Sequence, residues 1–208
     1  MRQIHKHIRY FKTDPKGEIA FIVEKFHHTL YAIYSQIACK MILNAKGIKY
    51  KKGIRFRGRI LISRHQNSII HIGQNCTFNS SSYFNYRGLN HRCILQTGTE
   101  DAQIIIGDNC GFSGVSIVAD IGVIIGNNTK IGANTRIGDR DDHPEIYASQ
   151  PQRIIIEDNV WIGMNVTIMK GVTIGKNSII GAGAIVTKDI PANVIAAGIP
   201  CKVIKARL

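Results

Sequence analysis

The chain has 208 residues, 44% of them hydrophobic, which is enough for one domain with a substantial core, and its formal net charge is +13. The sequence has no run of the roughly 18 uncharged apolar residues that a membrane-spanning helix needs, and the first residues, MRQIHKHIRYFKTDPK, lack the apolar core of a signal peptide. Its five cysteines are scattered and never form a CxxC pair, which argues against a disulfide framework or a structural zinc site and leads us to expect a cytoplasmic protein.

The positive charge is confined to the first third of the chain. Residues 1–64 contain 15 Lys or Arg and 3 acidic residues, a net charge of +12, whereas residues 65–208 contain 12 and 11, a net charge of +1. A nearly neutral remainder argues against nucleic acid as a partner. The basic segment suits either a solvated surface or contact with anionic lipid head groups or a phosphate-linked substrate.

Residues 18–44 show the periodicity of an amphipathic helix. Apolar side chains recur at steps of three or four: Ile19, Ile22, Phe26, Leu30, Ile33, Ile37 and Met41. Gly47 offers a stop. We therefore expect a basic helical segment over residues 1–52 and a second domain over residues 53–208. The helix is expected to pack on the end of that domain or on a neighbouring subunit, with peripheral membrane contact as the alternative.

The rest of the chain is dominated by a period of six. An aliphatic side chain recurs at every sixth position at Ile156, Ile162, Ile168, Ile174, Ile180 and Val186. Two residues before each later rung stands a smaller inward candidate: Val160, Val166, Val172, Ser178 and Ala184. Residues two apart share one side of a strand, so each hexad supplies a short strand and a corner. Three hexads make a coil, and stacked coils of this kind form a parallel β-helix.

The period extends towards the amino terminus with two interruptions. Hexads are recognisable from Ile72, again from Ile106 with Phe112 and Val118 as following rungs, and from Ile125 onwards. Residues 79–98 are irregular and are expected to form corners or a loop, and residues 139–153 break the ladder at His143. Roughly seven coils are expected, with Gly-Asn and Asp-Asn pairs at corners that need positive φ.

These hexads, together with three further motifs, resemble the hexapeptide-repeat O-acetyltransferases, which include galactoside, maltose and polysaccharide acetyltransferases. The motifs are DRDDHP (139–144), VWIG (160–163) and GAGAIVTKDIPANVIAAGIPCKVI (181–204). The resemblance implies an all-β fold, a left-handed parallel β-helix of hexapeptide repeats with an N-terminal α-helical segment. It also implies a homotrimer and acetyl-coenzyme A (acetyl-CoA) as the acetyl donor.

The resemblance assigns the role of general base to His143, the histidine before proline in DRDDHP. A hydroxyl attacks a thioester slowly unless its proton is removed as the new bond forms, and a histidine with a pKa near neutrality suits that task. Asp139 and Asp141 are candidates for orienting its ring and stabilising the imidazolium, and the sequence does not separate them.

The donor residues implied by the resemblance lie after the second interruption. Met164 and Ala182 are expected along the pantetheine arm and Thr187 and Lys188 further down. Lys202 and Lys205 are expected near the phosphates, where lysine acts as a mobile point charge. Trp161 either flanks the acetyl end or caps a hydrophobic edge.

On the acceptor side, Ser113 and Ser116 occupy a neighbourhood where relatives contact the acceptor or the oxyanion, although a corner serine bonded to its own backbone is the alternative for each. The galactoside enzymes place an asparagine in this neighbourhood, and we align it with Phe112. That departure leaves the acceptor class open.

The function that these features predict is acetyl transfer to a sugar hydroxyl, that of a cell-envelope or exported polysaccharide precursor. N-acetylation of an amino-sugar nucleotide is one alternative, and a non-catalytic β-helix scaffold is another. A zinc lyase of the same fold needs three histidines around one metal ion, and His65 and His71, six residues apart, face different directions, so no metal is expected.

Overall fold

A computed structural model describes residues 10, 12–86, 88–140 and 150–207. Across these residues the chain forms one long helix followed by three parallel sheets that the backbone visits in turn. Successive strands of a sheet therefore come from successive coils, as a parallel β-helix requires. His143 and Asp141 lie outside the described residues.

Each sheet collects one strand from each of six coils, and the second sheet gains two more at the carboxyl end. Sheet A contains β1 (Lys49–Tyr50), β4 (Ile69–Ile72), β7 (Gln103–Ile106), β10 (Gly122–Ile125), β13 (Ile154–Ile156) and β16 (Thr173–Ile174). Sheet B contains β2 (Arg55–Arg57), β5 (Thr77–Asn79), β8 (Gly111–Ser113), β11 (Lys130–Ile131), β14 (Trp161–Ile162), β17 (Ile179–Ile180), β19 (Val194–Ala197) and β20 (Lys202–Ala206). Sheet C contains β3 (Leu61–Ser63), β6 (Ile94–Thr97), β9 (Ser116–Ala119), β12 (Arg136–Gly138), β15 (Thr167–Ile168) and β18 (Ile185–Val186).

The predicted rungs form the core. All six residues of the ladder from Ile156 to Val186 are buried, and so are the five smaller residues that precede the later rungs. In the first three coils the rung of sheet B is aromatic: Phe56 lies over Phe78 with ring centroids 5.5 Å apart, and Phe78 over Phe112 at 4.9 Å. Later coils have isoleucine at the same position of sheet B, so the core there is aliphatic instead of aromatic.

Asparagine forms the corner between sheets A and B. Asn75, Asn109, Asn128 and Asn159 all have φ between 56° and 59°. Their side chains bond in series, each amide nitrogen donating to the next oxygen at 3.1–3.2 Å. Asparagine tolerates this left-handed conformation better than other residues with a Cβ. The prediction of positive φ at the corners is confirmed.

Helix α1 (Pro15–Ala45) contains the predicted segment 18–44. Asp14 caps its start by accepting a hydrogen bond from the backbone N–H of Gly17 at 2.9 Å, and Gly47, with φ of +63°, turns the chain after its end. The helix covers the open edge of β2. Gln36 donates to the carbonyl of Ile54 at 2.8 Å and accepts from the N–H of Phe56 at 2.9 Å.

Three boundaries differ from expectation. The β-helix begins at Lys49, a few residues before the expected boundary, because β1 pairs with β4. The irregular stretch 79–98 ends in a regular strand, β6, which the sequence pattern hid because residues 80–93 are inserted before it. Ile117, not Val118, is the buried rung of β9, since the corner at Gly114 is one residue shorter than a hexad allows.

Candidate active site

A groove of about 510 Å³ follows sheet B and its corner with sheet C over the later coils. Four predicted site residues line it: Ser113, Trp161, Met164 and Ala182. They come from different coils and are brought together because stacking places residues 18 or so positions apart side by side. The remaining lining residues are Asn85, Gly132, Ala133, Gly163, Ile179, Ile180 and Gly181.

The floor of the groove is bare backbone. Gly132, Gly163 and Gly181 follow the rungs of β11, β14 and β17, so they stack on successive coils. A Cβ on Gly163 would lie 2.6 Å from the backbone nitrogen of Ala182, and one on Gly132 would lie 2.5 Å from the carbonyl carbon of Gly163. These glycines are needed for close coil stacking, and they leave a channel in which a ligand can approach the main chain.

Trp161 borders this channel with 58% of its surface exposed. It lies on β14 between Lys130 and Ile179 of the neighbouring strands. It lies next to the glycine floor of the groove, and its role in flanking the acetyl end or capping an apolar edge stays a prediction.

Of the two candidate acceptor-binding serines, Ser113 lines the groove and Ser116 does not. Ser113 lines the groove and accepts a hydrogen bond from the side-chain nitrogen of Asn79 at 3.2 Å, so its own hydroxyl proton remains available for donation. Ser116 lies on β9 of sheet C beside Arg136 and does not line the groove.

Phe112 does not take the place of an acceptor-binding asparagine. Its ring is 1% exposed and stacks on Phe78 inside the coil, as its place among the predicted rungs requires. The asparagine in the groove is Asn85, which follows a short 3₁₀ helix (Ser82–Phe84). Both lie in the first insertion, residues 80–93 between β5 and β6. Sequence reasoning missed Asn85 because the insertion lies outside the hexad phase, although the insertion's richness in Asn, Ser and Tyr was a visible signal.

Asp139 is fully buried at the end of β12. Its carboxylate accepts hydrogen bonds from three consecutive backbone N–H groups, those of Asp120, Ile121 and Gly122, at 2.6–2.8 Å. Three of its roughly four acceptor positions are therefore occupied by the main chain. Its predicted role in orienting His143 stays a prediction, and its observed role is to fix the corner from which the second insertion starts.

The second insertion is the segment between Asp139 and Gln152, and these two residues lie at the same corner of the coil, between sheets C and A. The N–H of Gln152 donates to the carbonyl of Asp139 at 2.8 Å, which closes the base of the insertion between β12 of sheet C and β13 of sheet A. Arg140 adds an ion pair with Asp120 at 2.7 Å. The groove, in contrast, lies along sheet B and its corner with sheet C. One full face of the same coil separates the two features.

The remaining predicted residues lie near the carboxyl end. Lys202 and Lys205 are exposed on β20, the last strand of the groove's own sheet, where they pair with Ala197 and Ile195. Thr187 and Lys188 are exposed directly after β18 of sheet C. Their contact with a donor stays a prediction.

None of the five cysteines is placed to serve as a nucleophile, because all are buried. Burial raises the pKa of the Cys39 and Cys93 thiols. The hydrogen bond between Cys110 and Cys76 raises the pKa of Cys110 and lowers that of Cys76, which has no exposed surface from which to attack a substrate. Among the described residues, no cluster of three or more histidine, cysteine or acidic side chains is arranged to hold a metal ion.

The sequence matches two protein-family descriptions, "Bacterial transferase hexapeptide (six repeats)" over residues 153–188 and "Hexapeptide repeat of succinyl-transferase" over residues 103–139. It is 39% identical over 138 residues to the galactoside O-acetyltransferase of Lactococcus lactis subsp. lactis (strain IL1403), which covers 64% of this chain and 60% of that protein. The chain spans between 47% and 60% of the length of this and two further curated relatives.

Two solved structures extend the likeness. The polySia-specific acetyltransferase NeuO has a TM-score of 0.50 and 26% identity, and the match covers 77% of this chain and 81% of that one. AntD, an N-acyltransferase from Bacillus cereus solved with dTDP and 3-hydroxybutyryl-CoA, has a TM-score of 0.63 at 19% identity, with 81% and 88% covered. At that identity AntD supports the fold alone.

These matches, with the coil geometry, show a left-handed parallel β-helix of hexapeptide repeats that is similar to the hexapeptide-repeat transferase class. Within that class it resembles the O-acetyltransferases, which confirms the resemblance drawn from the sequence motifs.

Proposed function

We propose that this chain is an acetyl-CoA-dependent O-acetyltransferase that acts on a carbohydrate hydroxyl, such as that of a cell-envelope or exported polysaccharide. The observation that carries the proposal is the groove, where Ser113, Trp161, Met164 and Ala182 meet over a floor of glycine backbone. The galactoside O-acetyltransferase relative supports transfer to oxygen and a sugar acceptor.

The groove suits a thin, flexible donor arm. The stacked positions Gly132, Gly163 and Gly181 give a groove floor of main chain that a pantetheine chain can approach, and a side chain at any of them would collide with the neighbouring coil. Lys202 and Lys205, at the end of the same sheet, supply positive charge for the donor's phosphates. Bound acetyl-CoA supplies the acetyl group as an activated thioester.

His143 acts as the general base in this proposal. It removes the proton from the acceptor hydroxyl as that oxygen bonds to the acetyl carbon, and it returns the proton to the departing sulfur as the carbon–sulfur bond breaks. In the same proposal Ser113, whose oxygen accepts from Asn79, donates its hydroxyl proton to the oxygen on which negative charge develops. Transfer is direct, since the buried thiols offer no covalent intermediate.

We infer that the complete site lies between copies of the chain. Asp139 and Gln152, on either side of residues 141–149, are bonded to each other between sheets C and A, whereas the groove lies on sheet B and its corner with sheet C. A neighbouring copy in a closed homotrimer can bring its second insertion to this groove, so that His143 of one copy serves the donor groove of the next.

The test uses the purified full-length protein with acetyl-CoA and panels of neutral sugars, oligosaccharides and amino-sugar nucleotides, with free thiol release as the readout. Thiol release with hydroxyl acceptors and mass-spectrometric detection of an acetyl ester support the proposal. Acetyl amide formed only on amino sugars would replace O-transfer by N-transfer. Stabilisation by coenzyme A without turnover on any acceptor would instead favour a scaffold.

A further inference from the structure

Helix α1 is held to the β-helix by one face. Ser35, Cys39 and Leu43 are buried on that face, Ser35 accepts a hydrogen bond from the N–H of Gly58 at 3.2 Å, and Gln36 bonds the edge of β2 on both its polar atoms. These contacts account for the inward side of the helix and for its orientation across the amino-terminal end of the coils.

The opposite side of the same helix is an exposed apolar surface. Its seven residues, which we call the outer stripe, are Ile19, Ile22, Phe26, Leu30, Ile33, Ile37 and Met41, and each exposes 45–66% of its surface. At about 100° per residue they fall within one arc of roughly 100°, turned about 150° away from the buried face. At 1.5 Å per residue the stripe is about 33 Å long.

The charges beside the outer stripe are positive. The helix contains two acidic residues, and both lie towards the buried side. Glu18 is buried, and Glu24 accepts a hydrogen bond from Tyr86 at 2.9 Å. Lys16 and Lys40 flank the stripe at its two ends, and with Lys25 they give the helix a net charge of +1.

We propose that the outer stripe docks helix α1 in the plane of an anionic lipid surface, which places the protein at the cytoplasmic face of a membrane. A long apolar face flanked by lysines is the pattern of an interfacial helix. Within the described residues no helix is long and apolar enough to cross a bilayer, which agrees with a helix lying on the surface. The proposal is independent of the proposed enzymatic activity.

Charge decides between a lipid surface and a second copy of the helix. Helices that pair through an apolar seam generally carry opposite charges along its borders. Here each border carries a lysine, Lys16 on one and Lys40 on the other, both acidic residues lie towards the buried side, and a second copy would bring the same lysines against the first. Anionic head groups neutralise that charge, whereas a second helix adds to it.

The experiment is co-sedimentation of the full-length protein with vesicles of phosphatidylcholine alone and of equal parts phosphatidylcholine and phosphatidylglycerol. We expect binding to the anionic vesicles, weakening with salt, and little binding to the neutral ones. The double variant Phe26→Glu/Ile33→Glu, which changes only exposed positions, is expected to lose roughly tenfold or more of the bound fraction.

The matched control is Leu61→Glu/Ile69→Glu, which adds the same charge at exposed strand positions and is expected to bind like the wild type. Lys16→Gln/Lys40→Gln gives a milder second test and should weaken anionic binding alone. The proposal would be overturned if the wild-type protein did not co-sediment with anionic vesicles, or if the Phe26→Glu/Ile33→Glu variant bound them as well as the wild type. A lipid-free change in oligomeric state on sedimentation velocity, with no vesicle binding by the wild type, would make the stripe a subunit interface instead.

Discussion

Asp139 shows how a single buried carboxylate can organise a corner. Replacing it by asparagine exchanges one acceptor oxygen for an N–H donor that faces backbone amides, so at least one amide loses its partner. We expect Asp139→Asn to lower the free energy of unfolding by about 1–3 kcal/mol. Denaturant titration measures it.

Asp189 provides the control for that experiment. It accepts a single backbone hydrogen bond, from Thr173 at 2.7 Å, at an exposed corner. Asp189→Asn should therefore cost clearly less than Asp139→Asn. Equal losses would mean that the three amides around Asp139 contribute little beyond an ordinary surface contact.

His143 is the residue on which the chemistry is expected to depend. His143→Ala should lower kcat by about 10²- to 10⁴-fold while leaving the dissociation constant of coenzyme A nearly unchanged, because the base acts on the acceptor's proton and not on the donor. Thiol-release kinetics and calorimetric titration measure the two quantities.

His91 offers a matched histidine outside the groove. Its ring lies within 2.8 Å of the carbonyl of Arg92, and it is absent from the residues that line the candidate site. His91→Ala should leave kcat near the wild-type value. A His143→Ala enzyme with normal turnover would remove that histidine from the mechanism.

At the scale of elements, the asparagine ladder joins neighbouring coils at the corner of sheets A and B. Asn128 has φ of +57° and bonds to Asn109 at 3.2 Å and to Asn159 at 3.1 Å. We expect Asn128→Ala to destabilise the fold by about 1–2 kcal/mol, because alanine is strained in this conformation and lacks the amide. Asn128→Gly removes the same side chain without the strain, so it should cost less. If denaturant midpoints rank glycine below alanine, backbone strain is not the cause.

The regular coils could be predicted because each must bury an apolar side chain at the same position of its short strands. An aliphatic rung every six residues identifies the later coils, and the buried positions from Ile156 to Val186 follow it without a shift. The six-residue spacing is interrupted at Gly114, where the corner is one residue shorter and Ile117 is the buried residue instead of Val118. A pattern of apolar side chains does not show that a corner has lost one residue. The spacing is interrupted again at β6, whose pairing with β3 and β9 is set by coils distant in sequence.

The candidate site could be predicted only in part for a similar reason. Trp161, Met164 and Ala182 sit in regular coils, so a motif fixes their place in the groove. Asn85 reaches the groove from an insertion whose residues fall outside the six-residue period. Insertions are positioned by tertiary contacts that no local period encodes.

At the scale of the whole molecule, the single chain presents a groove on one face and the base of the His143 insertion on another. If neighbouring copies complete each other's sites, two inactive variants should restore activity when they assemble together. The suitable pair is His143→Ala, which keeps the groove, and Ala182→Trp, which fills the groove and keeps the histidine. Ala182 is exposed at that position, so the larger side chain extends into the groove without entering the core.

The two variants, carrying different affinity tags, are co-expressed and the doubly tagged assemblies are assayed for thiol release. In a doubly tagged trimer with intersubunit sites, one site in three pairs an intact histidine with an intact groove, so activity should recover to about a third of the wild-type value. Each variant expressed alone should stay inactive. A site contained within one chain predicts no recovery at all, because every copy then carries one lesion of its own.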